Sequence, residues 1–141
     1  MVDPLGAAIT LLRSDAAVAA IAGVKVRGEV LTGEAPPLVV IVENATTRRP
    51  FGPGSGRIGM ALSTLVARCY GPDATGGAIT ARQLAGAVSD AFHGLPPTTV
   101  GTKYLARGYA PEIGGLERDP ITKWPFHPVT VDIYHATEAV A

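Results

Sequence analysis

The run LVVIVEN, residues 38–44, constrains the chain more than any other segment. Val39, Val40, Ile41 and Val42 are β-branched, and no polar residue interrupts them. Stiff, branched side chains pack well on a pleated surface, and an unbroken apolar run reads as a buried central strand. A second segment, VTVDIYHAT at residues 129–137, sets Val129, Val131 and Ile133 against Thr130, Asp132 and Tyr134. That alternation predicts a strand with one face buried and one wet.

The helices come from a different period. Asp3-Pro4 offers a cap and a first helical residue, and Leu5, Ala8, Ile9 and Leu12 then recur on one face. Ser14-Asp15 offers a second cap before AAVAAIAG, which ends at Gly23, so the N-terminus holds two short helices or one bent one. A longer helix, capped by Thr75 or Thr80, carries Ala81, Leu84, Ala85, Val88, Ala91 and Phe92 and stops at Gly94. VKVRG at 24–28 and the start of TKYLARGYAPEI at 102–113 read as further strands. Residues 60–70, MALSTLVARCY, fit a helix through Leu62, Leu65, Val66 and Cys69. They fit a strand equally well through Leu62, Thr64, Val66, Arg68 and Tyr70. Strands in sequential pairs with helices between them predict an α+β fold: a mostly antiparallel sheet of 4–5 strands, helices on one face, and long loops.

Composition narrows the function. With 141 residues, 47% hydrophobic and 17% charged, the chain suits a single domain over residues 1–141 with its own core. Twelve basic residues balance twelve acidic ones, which argues against a global nucleic-acid footprint. One cysteine, Cys69, cannot make an internal disulfide, and with three scattered histidines it cannot build a zinc site. No apolar run reaches the roughly 20 residues of a membrane span, and no signal sequence is evident. The expectation is a soluble protein made in a cytosol, without metal or cofactor.

Residues 54–59 spell GSGRIG, the G-x-G-x-x-G spacing of a dinucleotide turn. That turn works when a strand runs straight into the glycines and a helix starts on them. Here Pro50 and Pro53 separate the glycines from the strand, and no Walker lysine lies in the stretch, so nucleotide binding is not expected. Residues 45–59 read instead as a loop that orders when a partner arrives. Arg48, Arg49 and Arg57 make it basic, and Phe51 is its one apolar anchor. Contact with a polyanion or an acidic partner surface is its functional reading.

Catalytic residues are not expected. His93, His127 and His135 fall apart from one another, Ser55 has no elbow context, and the carboxylates never cluster. Residues 114–128, GGLERDPITKWPFHP, read as a second long loop holding the single tryptophan. Trp124 and Phe126 either cap the core edge or anchor an interface, since buried aromatics dominate protein contacts. Two long loops and few catalytic groups favour an assembly protein.

Four segments carry a resemblance. DPLGAAITLLRSDAAVAAIAGVKVRGEV holds a short helix, a D-x-A-V-A-A helix and a strand. PPLVVIVENA is similar to a P-Y-V-V-I strand, and CYGPDATGGAITARQLAGAVSDAF to a strand, loop and amphipathic helix. RDPITKWPFHPVTVDIY is similar to an R-D-P-x-T-x-W-P loop followed by a last strand. Together, in this order, they resemble the tail terminator (tail completion) proteins of long-tailed, non-contractile bacteriophages, especially of actinobacterial hosts. The resemblance implies that residues 60–70 form a strand. It implies a structural virion protein assembled in the host cytoplasm. It further implies a ring, of six copies, on the last ring of tail tube protein, ending tube growth and joining the head connector. Phage DNA would pass through its lumen unread. Arg48, Arg49, Phe51, Arg57, Trp124 and Phe126 would then sit in loops facing the lumen or a neighbour. A head-completion or stopper protein of the same phages is the alternative, and a small nucleotide- or ligand-binding domain a more distant one.

Overall fold

The structure, a computed structural model, describes residues 4–29, 33–49 and 60–136. Two short helices lead, α1 at Pro4–Ser14 and α2 at Ala16–Ala22. Asp15 separates them: its carboxylate accepts the Val18 N–H at 3.0 Å and caps α2. Gly23, with φ of 61°, ends α2 where a side chain would be strained. The sheet comes next: β1 (Val26–Arg27), β2 (Leu38–Arg49) and β3 (Met60–Tyr70). Helix α3 (Gly77–Phe92) precedes β4 (Thr98–Val100), β5 (Lys103–Ile113), β6 (Glu117–Arg118) and β7 (Pro125–Ala136).

The strand order is β1-β2-β3-β7-β5-β4, with β6 also on β7. All pairs are antiparallel except β1 beside β2. The fold is α+β as predicted, but the sheet is mixed and, among the described residues, has seven strands, not 4–5. The ambiguous segment at residues 60–70 is a strand, and its alternation sorts the faces. Ala61, Leu65, Ala67 and Cys69 are buried with Val129, Val131 and Ile133 under the helices. Helix α3 lies over β7, β3 and β5 and brings Leu84, Val88 and Phe92 to that core. Burying each such side chain is worth about 1.5–3 kcal/mol. Leu62, Thr64, Val66 and Arg68 alternate onto the helix-free face, where none is fully buried.

Four expectations are corrected. Residues 45–49 are not loop: β2 continues through them, with Ala45 opposite Thr64 and Arg49 opposite Met60. The neighbouring strand supplies backbone partners whatever the side chains are, so polar composition misled there. Residues 114–128 are not one long loop either. Glu117 and Arg118 pair with Phe126 and Pro125, and β7 starts at Pro125. Neither threonine caps α3; Gly76 does, at φ of 85° and with no side-chain bond. Finally, residues 38–44 are not a buried central strand: beyond Val40, β2 has no second strand beside it among the described residues, and Val42 is exposed. A strand that the sequence did not announce, β4, closes a hairpin onto β5. Gly77 opens α3 because a Cβ there would overlap the Pro72 carbonyl. The N-terminus of α3 thus lies directly against the chain leaving β3.

Candidate functional site

At one end of the β3–β7 ladder a second, smaller core forms on the helix-free face. Leu38, Val40, Tyr70 and Phe126 are buried there, with Trp124 half-buried against them. Tyr70 meets Phe126 at 5.1 Å between ring centroids and Trp124 edge-on at 5.8 Å. Arg68 stands over the Phe126 ring at 5.6 Å. Phe126 is covered by its own chain, and Trp124 keeps one part open.

The segment before Trp124 is a tightly bonded turn. The Asp119 carboxylate accepts the Ile121 N–H at 2.9 Å and the Thr122 N–H at 3.0 Å. These two N–H groups hold its carboxyl below the usual carboxylate range. Tyr70 Oη donates to its other oxygen at 3.3 Å, and burial raises the Tyr70 phenol. Arg118 Nη1 donates to the Lys123 carbonyl at 2.9 Å and to Asp73 at 3.1 Å. The turn holds Ile121 out at 89% exposure, with Leu116 at 50%. Val24 and Ile79 are the other strongly exposed apolar residues nearby, each 65% exposed. All four belong to this end. Val24 precedes β1, whose Val26 pairs with Val39, and Ile79 sits in the first turn of α3. Leu116 and Ile121 flank β6, which pairs with the start of β7. A sequence reading picks out Trp124 and misses Ile121, because exposure depends on the Asp119 turn.

The opposite end carries the far half of the β2–β3 pair. Arg48 and Arg49 stand on β2 at register with Ala61 and Met60. Phe51 and Arg57 lie outside the described residues, as does GSGRIG. The element after GSGRIG is β3, a strand antiparallel to β2, and not a helix. The dinucleotide turn therefore lacks the element on which a pyrophosphate would rest.

Near this end one serine meets one histidine. Ser63 Oγ lies 2.8 Å from His135 Nε2 and 2.7 Å from Thr46 Oγ1. His135 Nδ1 donates to the Ala136 carbonyl at 2.9 Å, and Thr46 donates to Glu43. The pair has the distance of a nucleophile and its base. Both residues, however, are at 0% exposure, so no substrate reaches them in this form. Sequence reading missed the pair, although Ser63 and His135 continue the buried alternation of their strands. His93 accepts the Ala110 N–H at Nδ1, 3.3 Å away, and His127 Nδ1 donates to the Gly114 carbonyl at 2.9 Å. Cys69 is buried, and burial pushes its thiol far up. Among the described residues no three histidine, cysteine or carboxylate side chains converge on a metal position, and no single helix is long and apolar enough to cross a membrane.

The fold agrees with what comparison finds. A solved structure titled "Virion of native gene transfer agent (GTA) particle" contains a similar chain, with TM-score 0.72 and 22% identity. The match covers 94% of this chain and 93% of that one, and shows a shared fold. No curated protein matches the sequence. Residues 6–112 match the family described as "Tail completion protein gp17". That range takes in both N-terminal helices, α3 and the sheet from β1 nearly to the end of β5. The chain belongs to the tail completion protein gp17 family and is a structural protein of a phage tail.

Proposed function

We propose that this chain, acting as one domain, forms a closed ring that caps the tail tube, stops its growth and presents a surface to the head connector. The role is mechanical and not catalytic. The observation that carries the reading is the family match over residues 6–112. The sheet supports the ring. Its two edges are unlike: β1 and the outer half of β2 on one side, β4 and β5 on the other. Beyond Val40, β2 has no second strand beside it among the described residues. A contact between unlike surfaces repeats by rotation and closes into a ring, six copies being the size the resemblance implies.

Two ends of the chain then have two tasks. The end holding Ile121, Leu116 and the open part of Trp124 docks on another protein, with Phe126 as its buried support. Its charges are of both signs, Asp73 and Asp119 beside Arg118 and Lys123, which suits protein more than nucleic acid. The basic segment with Arg48, Arg49, Phe51 and Arg57 faces the lumen or grips the tube, where DNA passes without being read.

Deletion of the gene from its parent phage, followed by electron microscopy of the lysate, tests this. Overlong tails detached from filled heads are expected. Normal-length tails beside filled heads would move the chain to the head-completion side. Intact particles would overturn the assembly reading.

A further inference from the structure

We propose that neighbouring copies join their sheets edge to edge, with β4 of one copy lying beside residues 41–43 of β2 in the next. This contact rests on the ring reading above and names the surfaces that close the ring. The backbone decides which groups each edge has left. On β2, the Val39 N–H donates to the Lys25 carbonyl at 2.9 Å, so the backbone of Val39 faces β1. Alternation along the strand turns the N–H and C=O of Ile41 and Glu43 to that same side. β1 ends at Arg27, opposite Val40, and among the described residues no strand stands beside Ile41 or Glu43 there. The register shift between Glu43 and Ala45 ends the regular run, so the open slot is residues 41–43.

The far edge is nearly closed among the described residues. β4, itself three residues long, pairs with Lys103 to Leu105. Beyond it the Gly94 N–H donates to the Gly108 carbonyl at 3.0 Å, and the Ala110 N–H to His93 Nδ1 at 3.3 Å. Pro111 has no N–H to offer. What remains is the outer side of β4. Gly101, at φ of 62°, and Thr102 form a two-residue hairpin turn, closed by Val100 and Lys103 as a hydrogen-bonded pair. Thr98 faces Leu105 in the same way. Thr99, between them, turns its N–H and C=O outward.

The two remainders are complementary. With Thr99 set beside Val42, the Thr99 N–H donates to the Ile41 carbonyl, and the Glu43 N–H donates to the Thr99 carbonyl. That is the slanted pattern of a parallel pair, the kind β1 already makes on this edge. Direction agrees. β2, β3, β7, β5 and β4 alternate along the sheet, so β4 runs the same way as β2. Rotation about an axis along the strands keeps that direction from copy to copy. The faces agree as well. Thr99 and Val42 both belong to the helix-free face, and Val100 and Glu43 to the helix side.

Two side-chain observations support the same pairing. Among the described residues, Val42 is the one large exposed apolar residue outside the docking end, at 38% exposure, and Thr99 would cover it. Lys103 stands opposite Val100 on the helix side, one strand further in. In the joined sheet two strand spacings, about 10 Å, separate its backbone from that of the exposed Glu43 on the neighbouring copy. A lysine and a glutamate of opposite charge span such a gap between them.

The test supplies the full chain, as variants, to the parent phage deleted for the gene. In the first variant Val42→Cys and Thr99→Cys are combined, and purified tails are oxidised and run on a gel without reductant. A ladder in multiples of the chain is expected, and no ladder from either substitution alone. Assembled tails of the double variant without a ladder would overturn the contact, as would an equal ladder from a single substitution. The second variant, Thr99→Pro, removes the outward N–H and leaves the pairs closed by Thr98 and Val100 intact. It is expected to keep the wild-type melting temperature and to lose joined particles, whether or not the double variant assembles. Normal particle yield from Thr99→Pro would overturn the contact. If the deletion itself gives overlong tails while these variants behave as wild type, the contact falls and the ring reading stands. Intact particles from the deletion would remove both.

Discussion

The two ends of the β3–β7 ladder are fastened by different chemistry. At the Tyr70–Phe126 end, aromatic rings close over Leu38 and Val40, and a carboxylate locks the adjoining turn. At the Met60–Ala136 end the same strands are joined on their buried face by Ser63 and His135, with Thr46 of β2 bonded to Ser63 in turn. Ring packing is insensitive to protons and tolerates small shifts. A hydrogen-bond chain demands every donor and acceptor, and a partial chain is worse than an apolar one. The first end suits a surface that must keep its shape against another protein.

Substitutions can break that contrast. Phe126→Ala should be the most damaging, lowering stability by about 3–5 kcal/mol and releasing Trp124, read by denaturant melts and tryptophan fluorescence. Ser63→Ala leaves the buried His135 Nε2 without its partner and should cost about 1–3 kcal/mol, with faster amide exchange confined to β2 and β3. If its losses spread equally to residues 119–124, the two ends are one unit. Asp119→Ala should cost about 1 kcal/mol near neutral pH. The native carboxyl is held below its unfolded value, so its contribution is present above the ordinary aspartate range and fades as pH falls. Melts of the two proteins should therefore converge in acid, and a gap that persists there would remove the carboxylate as the cause. Ile121→Ser should move stability by no more than about 0.5 kcal/mol. Its effect is expected in assembly, as fewer joined particles when the variant complements a deletion. Normal yields would take Ile121 out of the docking end.

How far the sequence reached depends on which forces act locally. The strand at residues 38–44, the alternation from Val129 and the apolar stripe of α3 are written in nearest-neighbour patterns and all three elements form, but the first is buried only as far as Ile41, because β1 covers β2 no further than Val40. Residues 45–49 become strand only because Met60 to Thr64 lie beside them, and that pairing is not in their own composition. Pro125 and Pro128 lie in β7, inside the stretch read as a loop, and proline is unwelcome inside a sheet. Pro128 is tolerated because β5 departs there, with the Gly114 N–H donating to its carbonyl at 2.7 Å. Trp124 drew attention by rarity. The exposed Ile121 gave no such signal, because its prominence is set by Asp119 and the backbone around it.

Cys69 has a consequence for the particle's life after lysis. A virion leaves a reducing cell for an oxidising medium, where an accessible thiol would invite cross-links or oxidation. The Cys69 sulfur is at 0% exposure, and burial keeps it protonated, so it presents no thiolate to react. Cys69 can therefore pass from one medium to the other without a change in its covalent state.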